Sequence, residues 1–144
     1  MKKELLWRAF VHNKKESEQV CLTRMNRMTS PCFIKLDGEL GSGKTAFAKY
    51  IAKSYGVSDL TSVSYLKYSL HRGYKNIIHI DFYNLSEPEQ FFYDHIEDQI
   101  DDQSIVLSEW TPDGLKLDIA QFMLSITTKR ISERMISFLR IWSD

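Results

Sequence analysis

Residues 38–45 read Gly-Glu-Leu-Gly-Ser-Gly-Lys-Thr, and no other stretch so narrows what this chain can fold into. The spacing G-x-x-x-x-G-K-[ST] is that of the Walker A phosphate loop. Gly38, Gly41 and Gly43 permit a backbone path that side chains would forbid. Successive N–H groups then converge on phosphate oxygens at the start of a helix, whose dipole also favours negative charge. Lys44 supplies a point charge for the β- and γ-phosphates, and Thr45 a hydroxyl for Mg2+. Such a loop needs a strand before it and a helix after it. Cys32–Leu36 is a short apolar run of strand length. Beyond the loop, Phe47, Tyr50, Ile51 and Tyr55 recur at helical spacing, with Lys49 and Lys53 on the polar side, until Gly56 ends the pattern. Motif and setting together predict a nucleoside phosphate site.

The chain has 144 residues, enough to bury a core without disulfides or a structural metal. The expectation is one domain, residues 1–144. Its two cysteines, Cys21 and Cys32, form no C-x-x-C pair, which points to a reducing cytoplasm and away from a structural zinc site. Cys32, in an apolar strand, reads as a buried thiol. No apolar stretch of signal-peptide length follows Lys2 and Lys3, and nothing approaches the length of a membrane span. A net charge of zero hides an asymmetry. Residues 1–53 carry 11 Lys/Arg against 5 Asp/Glu, whereas residues 54–110 carry 3 against 10. The basic first third suits a phosphate ligand. The acidic run Glu97–Asp102 reads as a solvated helix end or loop, with a docking surface for a basic partner as the alternative.

Elements alternate along the chain. Leu5–Val11 reads as a strand, and Asn13 as the cap of a helix running to about Met28. After the loop helix come a polar stretch, a segment Tyr65–His71, a turn at Gly73 and an apolar strand Asn76–Ile80 ending at Asp81. Ser86-Glu-Pro-Glu89 reads as a capping-box start for a helix carrying Phe91, Phe92, His95 and Ile96. Ser104–Leu107 is a third core strand, ending at Glu109-Trp110, and residues 120–126 and 135–141 form a hairpin turning near Lys129. Strands alternating with helices imply an α/β sheet that is parallel at its centre, and such sheets bind ligands at the carboxyl ends of their strands. Three chemically apt features end strands there: the loop at Gly38, Asp81 and Glu109.

Asp81, closing an apolar strand, has the setting of a Walker B aspartate that holds Mg2+. Glu109 is placed to orient or deprotonate an attacking water, or else is an ordinary surface glutamate. Ser64 lies where a switch residue would sense Mg2+ or the γ-phosphate. Trp110 reads either as a stacking partner for the nucleotide or as a rim residue packing the core. His71, His79 and His95 lack metal-ligand spacing. His79 sits near Asp81 and either tunes it or packs as a hydrogen-bonded core histidine.

These pieces, in order, resemble the TsaE (YjeE) family, small bacterial ATPases of tRNA threonylcarbamoyladenosine (t6A) biosynthesis. Residues 38–45 are similar to that family's Gly-Asp-Leu-Gly-Ala-Gly-Lys-Thr. His79-Ile-Asp-Phe-Tyr-Asn-Leu-Ser-Glu-Pro-Glu89 resembles its His-x-Asp-x-Tyr-Arg-Leu-x-x-Pro-Glu segment, Leu107-Ser-Glu-Trp110 its Val-Glu-Trp, and Ser62-Val-Ser-Tyr65 its Ser-Pro-Thr-Tyr. The resemblance implies a P-loop NTPase-like three-layer sandwich, with a mostly parallel central sheet and antiparallel C-terminal strands. It implies ATP on Gly38, Glu39, Leu40, Gly41, Ser42, Gly43, Lys44, Thr45 and Ala46, with Trp110 beside it. Mg2+ would fall to Thr45, Asp81 and Glu109, and catalysis to Glu109, Lys44 and Ser64. TsaD-like and TsaB-like partners are implied, with tRNA engaged mainly through that complex, which ATP hydrolysis resets between turnovers. Three departures from the family stand out. Val63-Ser64 replaces Pro-Thr, Asn84 stands for arginine, and Glu39 for aspartate. The last is the milder change, and together they imply weakened hydrolysis or partner coupling more than weakened nucleotide binding.

Two other readings share the loop. A small-molecule kinase needs arginines to clamp moving phosphates, and none lies between Gly73 and Lys129; only Arg130, Arg134 and Arg140 follow. A non-catalytic ATP-dependent assembly switch is favoured by the altered Ser62-Val-Ser64. No N-K-x-D guanine-reading motif supports a GTPase, and the scattered basic residues form no nucleic-acid cluster.

Overall fold

A computed structural model describes residues 1–60 and 67–143. Seven strands form one sheet: β1 (Lys2–Val11), β2 (Cys32–Asp37), β3 (Tyr68–Arg72), β4 (Asn76–Asp81), β5 (Ser104–Glu109), β6 (Ala120–Thr128) and β7 (Arg134–Trp142). Three α-helices pack on it: α1 (Lys14–Arg24), α2 (Lys44–Lys53) and α3 (Pro88–His95). The spatial order is β1-β7-β6-β2-β5-β4-β3. β2 pairs in parallel with both β5 and β6, and β4 pairs in parallel with β5. Antiparallel β3 closes one side; β7 and then β1 close the other. The expected parallel centre is therefore β4-β5-β2-β6, and the C-terminal hairpin enters it through β6.

Alternation along the central strands sends apolar side chains to two cores. Cys32, Ile34 and Leu36 of β2 join Ile105 and Leu107 of β5 beneath α1 and α2, with Phe47, Ala48, Ile51 and Ala52 of α2. The opposite face carries Phe33, Val106, Ile78 and Ile80, covered by Phe92 and Ile96. Phe33 meets Phe92 edge to face, with ring centroids 6.0 Å apart. A sheet with helices on both faces is the three-layer arrangement. Strands buried on both sides read as continuous apolar runs, which is why β2, β4 and β5 stood out.

Element ends follow local chemistry. Asn13 caps α1 through its side-chain oxygen, which accepts from the Glu16 amide at 2.8 Å. That helix stops at Arg24, short of Met28, because Tyr55 takes over the chain beyond it. The Tyr55 hydroxyl donates to the Met25 carbonyl and accepts from the Met28 amide. The capping box expected at Ser86 does not form. The cap residue is Glu87, without a side-chain bond, and Pro88 takes the first helical position, where its fixed φ suits helix and its missing N–H costs nothing. β1 begins at Lys2, three residues before the apolar pattern, since its pairing with β7 needs backbone rather than apolar side chains. A register shift between Leu5 and Trp7 marks a bulge at Leu6. Of the segment expected from Tyr65, Tyr65 and Leu66 lie outside the described residues and Tyr68 onward is strand, and the acidic run Glu97–Asp102 opens as an exposed 3-10 turn over Glu97–Gln99.

Candidate functional site

The sheet brings the three chemically apt strand ends to one edge. β2 delivers the chain into the loop at Gly38, and in register Leu36 lies opposite Glu109, which in turn lies opposite Asp81. The loop then turns into α2, whose cap residue is Gly43 at φ +106°. That angle excludes ordinary side chains, so the glycine required by the motif is required by the backbone. Gly38 is held for a different reason: a Cβ there would come within 2.9 Å of the Ile126 carbonyl oxygen.

Lys44 is the first residue of α2 and is almost wholly buried. Its Nζ donates to the carbonyls of Gly38 at 2.6 Å and Glu39 at 3.0 Å. The indole of Trp110 covers it, with Nζ 4.1 Å from the ring centroid. Burial lowers the ammonium below its ordinary pKa, against the opposing charges of Glu109, Asp37 and Asp81. Trp110 itself adopts φ +55° and is 39% exposed, packed against Tyr83 with centroids 5.1 Å apart. A left-handed backbone at a bulky aromatic is strained and belongs to the kind of outlier found at functional sites. Trp110 therefore lies over the loop lysine.

Glu109 is only 4% exposed, which removes the surface-glutamate reading. Its Oε1 accepts from the Thr45 hydroxyl at 2.8 Å and its Oε2 from His79 Nε2 at 2.6 Å. Burial alone would raise its pKa. The bond and charge of His79, the Thr45 hydroxyl and the Lys44 charge outweigh that, and the carboxyl sits below its ordinary value. His79 is thus a hydrogen-bonded core histidine, and its partner is Glu109 rather than Asp81. Asp81 Oδ1 instead accepts from the Tyr83 amide at 2.9 Å, forming a local turn. Three residues after Asp81, Asn84 takes φ +61°, a left-handed conformation that asparagine tolerates better than most residues.

A cavity of about 360 Å3 unites most of the expected residues: Leu40, Gly41, Gly43, Lys44, Thr45, Ala46, Asp81, Glu109 and Trp110, with Tyr83 added. Gly38, Glu39 and Ser42 lie outside it, lining a cavity on the β6 side of the loop. Ser64 lies outside the described residues. Thr45, Asp81 and Glu109 offer a hydroxyl and carboxylates, the hard oxygen donors that suit Mg2+, a cation that takes few protein ligands and keeps several waters. A second cavity of about 370 Å3 begins on the other side of the loop. It is lined by His12 and Asn13 before α1, Ser42, Gly43, Ala46, Phe47 and Tyr50 around α2, and Ser132 and Arg134 of the last hairpin. Arg134 Nε donates to the Ser42 carbonyl at 3.3 Å. Sequence reasoning missed this wall, because His12 and Arg134 are some 120 positions apart and only the pairing of β1 with β7 brings them together.

The model of the family described as threonylcarbamoyl adenosine biosynthesis protein TsaE matches residues 11–136, nearly the whole chain. The chain belongs to the TsaE family. Among curated TsaE relatives, each called tRNA threonylcarbamoyladenosine biosynthesis protein TsaE, that of Borreliella burgdorferi is 33% identical over 96 residues, 65% of this chain and 70% of the relative. The Haemophilus influenzae protein is 33% identical over 85 residues, 56% of this chain and about half (52%) of the relative. The Rickettsia felis protein is 25% identical over 147 residues, covering 90% of this chain and 85% of its own. Crystallographic Bacillus subtilis YdiB superposes with a TM-score of 0.71 at 20% identity, over 99% of this chain and 89% of that one; that likeness concerns the fold. No helix among the described residues is long and apolar enough to cross a membrane.

Proposed function

We propose that this TsaE-family chain binds Mg-ATP and hydrolyses it as an accessory subunit in the biosynthesis of threonylcarbamoyladenosine in tRNA. The reading rests above all on the convergence of Lys44, Thr45, Asp81 and Glu109 on one cavity at the loop. It is also supported by the two cavities sharing Gly43 and Ala46, so that a nucleoside on the Phe47–Tyr50–Arg134 side would send its triphosphate across the start of α2. The loop amides and Lys44 bind the phosphates, Lys44 exchanging the Gly38 and Glu39 carbonyls for phosphate oxygens. Thr45, Asp81 and Glu109 would hold Mg2+, which neutralises charge on the phosphates when bound. Glu109, kept ionised by its neighbours, orients a water toward the γ-phosphorus and takes its proton as the β–γ bridge breaks. Trp110 and Tyr83 shield that side from bulk water.

The expected partners are TsaD-like and TsaB-like proteins, with tRNA met mainly through them, and hydrolysis resets that complex between turnovers. Multiple-turnover ATP hydrolysis by the purified chain, alone and then with these two proteins from the same organism, tests the reading. Weak activity that rises at least tenfold in the mixture supports it. ATP binding without turnover in either case replaces it with a non-catalytic assembly switch. Phosphate transfer to an added metabolite replaces it with a kinase.

A further inference from the structure

We propose that His79 is a positioning residue for Glu109: from β4 it fixes the carboxylate of the neighbouring strand in the one orientation in which it also meets Thr45. The inference rests on the nucleotide reading above and adds to it a residue outside the loop cavity.

His79 shares the face of β4 that carries Ile77, and it is completely buried. In register it stands opposite Leu107, one same-face step before the Asp81–Glu109 pair. Its ring therefore reaches diagonally along the sheet to the glutamate. The 2.6 Å contact joins Nε2 to Oε2, while the other oxygen holds the Thr45 hydroxyl at 2.8 Å. An ionised carboxylate only accepts, so Nε2 carries the proton. Nδ1 has no hydrogen-bond partner among the described residues. A histidine kept for packing alone would leave no reason to bury a polar ring with one nitrogen unsatisfied, at a cost that an apolar residue avoids. The satisfied nitrogen is the one aimed at the glutamate.

The geometry also explains why a second anchor is needed. Thr45 is the hydroxyl that the loop offers to a cation, so its bond to Oε1 is one that ligand binding competes for. The His79 bond on Oε2 is out of that competition, since His79 does not line the loop cavity. With Thr45 turned to a ligand, His79 alone keeps Glu109 from rotating away from the site. Partners of this kind are worth about 10–100-fold in metal affinity or activity when removed.

His79→Leu fills the space without a donor, and His79→Gln retains one. Calorimetric ATP titrations with and without Mg2+ compare both with wild type and Glu109→Ala. The expected result is a 10–100-fold loss of the Mg2+ enhancement of ATP affinity in His79→Leu, with Mg2+-free ATP affinity unchanged and the enhancement largely restored in His79→Gln. Mg2+ enhancement lost in Glu109→Ala but intact in His79→Leu overturns the inference and leaves the nucleotide reading standing. Equal loss of both affinities in both His79 variants makes the residue structural and overturns it too. A wild type that binds ATP no better than Lys44→Ala removes the nucleotide reading and this inference with it. A ligand-free readout is nitrogen NMR of the wild-type ring, which stands even if the leucine variant does not fold. A proton on Nε2, with the ring shift moving in Glu109→Ala, supports the inference, and an unprotonated Nε2 overturns it.

Discussion

Lys44 and Glu109 are each engaged twice at the loop edge, and that double engagement sets what their substitution should do. Lys44 donates to two loop carbonyls under the Trp110 ring, so phosphate binding must draw it out from beneath the indole. Trp110 emission is therefore expected to change when ATP is added, over a constant background from Trp7 and Trp142. Trp110→Phe should abolish the change, and its persistence in that variant would place the reporter elsewhere. Glu109→Gln keeps the volume and one hydrogen-bonding oxygen but loses the base. Mg-ATP affinity should fall less than the rate of hydrolysis, which is expected to drop by about 10²–10⁴, the range for a positioned acid–base group. Single-turnover kinetics separate the two. The identity of Glu109 was legible as a carboxylate ending an apolar strand. Its partners were not, because a diagonal contact between His79 and Glu109 depends on the β4–β5 register, and one residue of slip would turn the histidine to the other face.

At the scale of elements, capping separates what the sequence expressed from what the fold decided. Asn13 caps α1 with a 2.8 Å bond, so Asn13→Ala is expected to cost about 1 kcal/mol. Ser86 makes no cap bond, because Pro88 starts α3 behind Glu87. Ser86→Ala should then stay within about 0.5 kcal/mol of wild type, whereas a real capping box would lose as much as Asn13→Ala. Urea unfolding of the two variants side by side distinguishes them. The strands β2, β4 and β5 were legible because both faces are buried, and α2 because its apolar spacing follows the loop. The C-terminus of α1 was not, since Tyr55, about thirty residues away, decides it through the Met25 carbonyl and the Met28 amide. Nor was the reach of β1, whose outer residues are exposed and held by pairing alone.

For the whole molecule, the core beneath α1 and α2 buries groups whose protons the folded state retains. Burial pushes the Tyr55 hydroxyl from 10.0, and the Cys21 and Cys32 thiols from 9.0, up to about 12. The unfolded chain releases these protons first. Their contribution to stability is fully present below about pH 9 and is lost as pH rises toward 12. The urea midpoint should therefore fall steadily over that window, and less steeply in Tyr55→Phe; a flat profile would mean that these groups ionise freely in the folded protein. At this scale the parallel centre was readable from alternating strands and helices. The joining of the N-terminal strand to the C-terminal hairpin was not, because β1 and β7 lie at opposite ends of the chain. That closure builds the Arg134 wall beside the loop, and with it the second cavity.

The measurement that bears most directly on the site is a calorimetric titration of a non-hydrolysable ATP analogue into the wild-type chain and into Lys44→Ala, with and without Mg2+. One analogue per chain, bound more tightly with Mg2+ and at least 100-fold more weakly by Lys44→Ala, is the expected result. Equal affinity in the two proteins, or no binding in either, would contradict a nucleotide site at this loop.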